Sequence, residues 1–336
     1  MTVRFGVSFD GFASTAEALE VGRASVDAGA HSLWMAEHLG YREAMVTSMG
    51  FRIESPAAQV VPTAISPYLW HPMPTAMSLA TLAEVGSAPV GVAIGVGNPL
   101  FLAESGHKIV KPVRAVREFL DCLDLLWTGE KAEYRGEFFS LEGARLGFVP
   151  PRPLIIYVAA MGKQMLRLAG AKADGVVLSA GLSPQYCRHS LRTFSQGLHD
   201  AGRDPALARR ASYLFLAVAD DARTARAIVR PKLAFLMRNE KLAENIAQSG
   251  VSVNQQGIIE AISHRDMDRA AHHISDEAIA AFSIAGTPDE CHEQLGAFIE
   301  AGINEPIFMI QGADRERELA LAFLRDCAGR NWSDNA

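Results

Sequence analysis

A strand-like apolar run followed by a helix-like stretch returns along nearly the whole chain, and this repetition limits the fold more than any other feature. Residues 3 to 9 (VRFGVSF) alternate as a strand does, and 14 to 28 then carry apolar residues at helical spacing up to Gly29. Further strand-like runs are SLWMAEH (32 to 38), QVVPTAI (59 to 65), PVGVAIGV (89 to 96), PLIIYVAA (153 to 160), DGVVLSAG (174 to 181), ASYLFLAVA (211 to 219) and EPIFMIQ (305 to 311). Helical patterns follow at 74 to 85, 112 to 127, 163 to 172, 184 to 201, 221 to 237 and 314 to 328. Eight parallel strands joined by right-handed crossovers close on themselves, so the predicted fold is α/β, a (β/α)8 TIM barrel. An open doubly wound sheet fits the same alternation, but its G-x-G-x-x-G turn is missing: the first strand leads into SFDGFAST. Two stretches interrupt the pattern. Residues 128 to 150 suggest a hairpin or excursion, and 238 to 286 extra helical or irregular structure. No linker or internal repeat divides the chain, so one domain over 1–336 is expected.

At 49% hydrophobic and 21% charged the chain has ample material for a core, which excludes a disordered protein. Its net charge of -6, with no basic block, argues against nucleic acid and anionic membranes as partners. Cys122, Cys187, Cys291 and Cys327 form no C-x-x-C pair, which excludes the common zinc and dithiol motifs and fits a reducing cytoplasm. No apolar run approaches the roughly 18 residues of a membrane span, and the opening MTVRFGVSFDGF has no apolar leader segment. His264, His272, His273 and His292 show no zinc spacing, so no metal is assigned. There is also no G-x-S-x-G elbow.

In a barrel of this kind the chemistry lies at the C-terminal ends of the strands. Strand period places Ser32, Trp34, Ala36 and His38 on one side of the second strand, and Leu33, Met35 and Glu37 on the other. His38 is there an acid or base near neutral pH, or a loop histidine satisfied by backbone. Tyr68, Trp70 and His71 in PTAISPYLWHP form either a stiff wall against a flat ligand or simple packing of the mouth. Gly95, Gly97 and Asn98 in AIGVGNP allow close approach of a ligand to backbone, and ordinary turn chemistry accounts for them equally. Ala160, Met161, Gly162 and Lys163 lie between a strand and the first turn of a helix. That place suits an anion, or else carries a solvated lysine.

The run YVAAMGKQMLRLAGAKADGVVLSAG (157 to 181) resembles the phosphate-binding strand, loop, helix and strand of the luciferase-like flavin and deazaflavin oxidoreductases. SLWMAEH, PTAISPYLWHP and AIGVGNP resemble that family's acidic-residue and histidine strand end, its loop with an unusual peptide bond and its glycine-rich strand end. ESGHKIVKPVRAVREFLDCLDLLWTGE and DEAIAAFSIAGTPDE are similar to segments of methylenetetrahydromethanopterin reductases, which use coenzyme F420, a deazaflavin. The resemblance implies a cis peptide at Thr63–Ala64 behind the cofactor ring, with Gly95, Val96, Gly97 and Asn98 beside the ring or ribityl chain. It implies a phosphate site at Ala160, Met161, Gly162 and Lys163, with Ser179 and Ala180 on the next strand end, and His38 beside the ring. Reductase relatives carry a glutamate near the end of the first strand where this chain has Ser8, leaving Glu37 or His38 to supply a proton.

The activity so implied is hydride transfer between coenzyme F420 and a small organic substrate, with His38, Glu37 and Ser8 as catalytic candidates and Tyr68 and Trp70 at the substrate. One alternative is a monooxygenase of the same family using reduced FMN from a separate reductase; another is a flavin-binding protein without turnover. By analogy with relatives a cytoplasmic homo-oligomer is expected.

Overall fold

The computed structural model describes residues 2–332. Its strands are β1 (Gly6–Phe9), β2 (Ser32–Ala36), β3 (Gln59–Ile65), β4 (Gly91–Ile94), β5 (Ala132–Arg135), β6 (Ser140–Ala144), β7 (Ile155–Ala159), β8 (Gly175–Leu178), β9 (Arg209–Val218), β10 (Ile284–Gly286) and β11 (Glu305–Ile310). Parallel pairing runs β1-β2-β3-β4-β7-β8-β9-β11, and β11 pairs with β1, so eight strands close into a barrel with helices between them. All eight correspond to the strand-like runs of the sequence. Several are shorter than those runs; β1 spans Gly6–Phe9, against the expected 3 to 9.

The interior has a layered logic. Trp34, Val61, Ala93, Tyr157, Val177, Ala211 and Ile307, one from each of seven strands, form a buried inner cluster separate from the larger core between strands and helices. The eighth strand contributes Gly6, where a Cβ would lie 2.7 Å from Ser32 Oγ and 2.8 Å from Trp34 Nε1. Only glycine leaves Trp34 its place. Below this layer Tyr157 Oη donates to Glu305 Oε2 at 2.6 Å and Arg209 Nη1 to Glu305 Oε1 at 2.8 Å, so the N-terminal end is plugged by paired charges.

Residues 128 to 150 contain the expected hairpin, with β5 and β6 antiparallel. The stretch 238 to 286 needs a correction. It holds the helices Ala243–Ser249, Gln255–Ser263, Met267–His272 and Asp276–Phe282, but ends in β10, which pairs with Leu216–Val218 of β9 and belongs to the barrel sheet. Three residues are too short for an alternation to be legible. The helix Ala44–Glu54 is likewise absent from the sequence reading, because Thr47, Ser48 and Gly50 weaken its pattern. Glu43 accepts from the N–H groups of Met45 and Val46 to start it.

The hairpin is held by one carboxylate. Glu118, on the helix Pro112–Leu126, is 3% exposed and accepts from the N–H groups of Glu137 (3.0 Å), Phe138 (2.7 Å) and Phe139 (3.4 Å) and from Arg114 Nε (2.9 Å). Docked this way, Phe138 meets Tyr68 edge-on at 6.3 Å and Phe139 meets His71 at 5.8 Å, so the hairpin buttresses the loop after β3. Burial by itself would raise the Glu118 pKa, but Arg114 and the three backbone donors outweigh it and hold the group below its ordinary value. A depressed carboxylate contributes stability above its unfolded pKa of about 4.3, and that contribution is lost as pH falls through the folded value. Glu118→Ala, which orphans buried donors, is expected to cost about 2–4 kcal/mol in denaturant unfolding at pH 7. The difference from the parent should shrink as the medium is acidified below about pH 4.

Candidate active site at the C-terminal mouth

Above the aromatic layer the inward-facing positions turn small. Ser8, Ala36, Gly95, Ala159 and Ser179 occupy them on β1, β2, β4, β7 and β8 or at their ends, and Ser8, Ala36, Ala159 and Ser179 are half-buried. On β9 and β11 the corresponding positions hold Tyr213, Phe215 and Met309.

The peptide Thr63–Ala64 is cis, at the position the resemblance implied, and a register shift between Thr63 and Ile65 marks a bulge against β4. Neighbouring strands clasp this bulge. Glu37 N–H donates to Thr63 O at 2.6 Å, Gly95 N–H donates to Ile65 O at 3.1 Å, and Tyr213 Oη donates to Thr63 Oγ1 at 3.0 Å. A Cβ on Gly95 would lie 2.8 Å from Ala159 Cβ and 3.1 Å from Ala64 Cβ. Gly95, Ala64 and Ala159 therefore lie against one another as a continuous shelf of small residues. Ser66 Oγ donates to Val96 O at 2.8 Å and fixes the next residue of the shelf. Gly97 has φ +86, which favours glycine, and Asn98 Oδ1 accepts from Leu100 N–H at 3.0 Å to cap the helix Pro99–Glu104. The Asn98 oxygen is thus committed to the helix, and its amide nitrogen remains for another partner.

His38 follows β2 with its Nδ1 2.8 Å from Asp10 O. A carbonyl only accepts, so Nδ1 carries a hydrogen and Nε2 of the neutral ring carries the lone pair. The backbone-satisfied reading of this histidine describes Nδ1, and Nε2 is left for another partner. Glu37 points to the other side, accepting from Ala44 N–H at 3.0 Å at the start of the helix Ala44–Glu54. Burial raises its pKa, opposed by the Ala44 hydrogen bond. The Ser8 hydroxyl has no hydrogen-bond partner among the described residues, and Ser8 lines a cavity of about 150 Å³ with Asp10, Arg42, Met309 and Gln311. The same cavity reaches the outward-facing Val7, Phe9 and Met35 of β1 and β2.

Tyr68 and Trp70 are engaged in packing. Tyr68 Oη donates to Val110 O at 2.6 Å, and Trp70 is half-buried against the main core. In the loop after β7, three residues beyond Ala159, Gly162 precedes the helix Lys163–Lys172, whose first turn has no side-chain cap. Open space surrounds Gly162, and Lys163 is exposed with no acidic partner among the described residues. Met161 and Ser179 are half-buried beside it, and Ala160 and Ala180 buried. Uncapped N–H groups, the helix dipole and a free cation make a fitting anion site. Tyr213 and Trp34 were not singled out from the sequence, although strand period gives both as inward-facing. Among the described residues no group of three or more His, Cys, Asp or Glu is placed to hold a metal ion, and no helix is long and apolar enough to cross a membrane.

Known proteins resemble this chain in sequence and in fold. A 5,10-methylenetetrahydromethanopterin reductase of Archaeoglobus fulgidus is 26% identical over 88% of this chain and 90% of its own length. An F420-dependent glucose-6-phosphate dehydrogenase of Rhodococcus erythropolis is 27% identical over 87% of this chain and 84% of its own. In fold, the coenzyme F420-dependent tetrahydromethanopterin reductase of Methanopyrus kandleri superposes with a TM-score of 0.87 at 22% identity, covering 97% of this chain and 98% of that one. The family described as luciferase-like monooxygenase matches residues 4–305. The chain belongs to this luciferase-like family.

Proposed function

We propose that the chain is a coenzyme F420-dependent oxidoreductase that moves a hydride between the deazaflavin and a small organic substrate. The observation that carries the reading is the patch of small residues Ala64, Gly95 and Ala159 at the C-terminal strand ends, beside an uncapped helix N-terminus with an exposed cation at Gly162 and Lys163. A flat ring with a phosphorylated tail matches that pair of features in shape and charge. The Rhodococcus erythropolis dehydrogenase and the Methanopyrus kandleri reductase, both F420-dependent by name, support F420 over FMN as the ring.

Thr63 and Ala64 back the ring, with Gly95, Val96, Gly97 and Asn98 along its edge and side chain. Ala160, Met161, Gly162 and Lys163 take the phosphate, flanked by Ser179 and Ala180. Bound there, coenzyme F420 supplies a two-electron hydride acceptor or donor. Nε2 of His38 takes the proton from a substrate hydroxyl or amine as the hydride leaves, and returns it in the reverse direction. Asp10 O holds the imidazole in the tautomer this role needs. Glu37 positions the shelf through its N–H, while its carboxylate serves the neighbouring helix. We extend the same reading to a single-domain chain acting in the cytoplasm as a homo-oligomer; four buried free thiols accord with a reducing compartment.

Titration of the protein with F420, and separately with oxidised and reduced FMN, followed by fluorescence without oxygen, tests the proposal. Low-micromolar F420 binding with no FMN binding is expected. Preferential binding of reduced FMN, with a peroxyflavin spectrum on admitting oxygen, would contradict it. Lys163→Ala should weaken F420 binding about tenfold, the value of one charge-assisted contact. For His38→Asn a fall in kcat of about 10²–10⁴-fold is expected once a substrate is in hand.

A further inference from the structure

Three loops leaving the C-terminal end of the barrel carry rings that meet at its rim. Phe12 follows β1, His38 and Tyr41 follow β2, and Phe101 follows β4. Phe12 and Tyr41 lie 4.4 Å apart by ring centroid, His38 stacks on Phe12 at 5.4 Å, and Phe101 meets His38 edge-on at 5.8 Å. Despite these contacts Phe12 and Tyr41 remain 52% and 50% exposed, and Leu100 beside Phe101 is 53% exposed. A contiguous apolar patch around a polar ring nitrogen at a barrel mouth is a surface for a ligand.

The rim is braced. Phe12 N–H donates to Asp10 Oδ1 at 2.9 Å, and Arg42 Nη1 donates to Phe12 O at 2.9 Å and to Gly11 O at 3.3 Å. The Arg42 side chain lines the cavity beside Ser8, so its charge is tied to the back of the loop. Among the described residues none of these rings has a cation over it; the recorded pair is Arg238 on Phe235. The Lys163 ammonium belongs to the proposed anion site after β7.

We infer that this rim is the substrate wall and that the substrate is a small uncharged molecule with a flat apolar or aromatic body. Its reacting hydroxyl, carbonyl or imine group sits at Nε2 of His38 while its body lies against Phe12 and Tyr41. A sugar phosphate, the substrate class named for one group of relatives, finds no charge partner among these rings. The inference rests on the F420 reading above and specifies the substrate for the same site.

The test uses the F420-loaded protein and two probes, acetophenone and glucose 6-phosphate, with binding followed by the cofactor's fluorescence. Acetophenone is expected to bind and glucose 6-phosphate is not. Phe12→Ala should weaken acetophenone binding roughly three- to tenfold, as expected for one lost aromatic contact, with unchanged F420 affinity. Phe12→Leu, which keeps an apolar side chain, should recover part of the loss. Tighter binding of glucose 6-phosphate than of acetophenone would overturn the inference, as would equal acetophenone affinity in parent and Phe12→Ala. A fall in assembly size of Phe12→Ala on size-exclusion chromatography would assign the rim to a subunit contact instead, and so also overturn it. Failure of F420 itself to bind shows in the first titration, before either probe is added, and counts against the cofactor reading alone.

Discussion

Large rings fill the middle of this barrel, and small residues are all that stand above them on five strands. Trp34 and Tyr157 meet edge-on at 4.9 Å, and Tyr213 meets Trp34 at 6.0 Å, so the interior is closed at mid-height. With Ser8, Ala36, Gly95, Ala159 and Ser179 above, the same strands that close the core leave room for a ligand at its top. The interior volume is therefore divided along the barrel axis. Gly6 lets Trp34 lie flat enough to serve as the floor, and the charge plug of Arg209, Tyr157 and Glu305 seals what lies beneath.

The shelf depends on backbone donors from both neighbours of β3. Glu37 N–H and Gly95 N–H hold Thr63 O and Ile65 O, and the Tyr213 hydroxyl, donated from across the barrel, fixes the Thr63 side chain. Outer elements act on the same region at one remove. Glu118 docks the β5–β6 hairpin, whose Phe138 and Phe139 press on the loop that follows β3. Stability and site geometry are thus coupled through a few buried polar contacts whose removal leaves orphaned donors.

Much of this was legible in the sequence because it is local. Short apolar runs mark each barrel strand, and the turn at 160 to 163 reads as the start of a helix, which it is. The cis peptide at Thr63–Ala64 came from family resemblance; nothing in the residue types alone indicates it. What stayed hidden depends on partners distant in sequence. The Tyr213 contact with Thr63 spans 150 positions, and Glu118 reads as an ordinary helix carboxylate until the hairpin folds over it. Tyr68 and Trp70 read from the sequence as either a ligand wall or packing of the mouth, and the bond from Tyr68 to Val110, 42 positions away, is not visible in that window. The rim rings Phe12, Tyr41 and Phe101 come from three separate loops, so no short window contains them.

Occupancy of the shelf by the cofactor ring is the centre of this account, and Gly95 is its most sensitive point. A methyl group there must displace Ala159 or Ala64, and the surface on which the ring rests moves with it. The most direct measurement is the F420 affinity of Gly95→Ala, taken beside its circular dichroism and thermal midpoint. The account predicts affinity at least about tenfold weaker in a variant that keeps its secondary structure and a cooperative transition. A folded Gly95→Ala protein that binds F420 as tightly as the parent would contradict it.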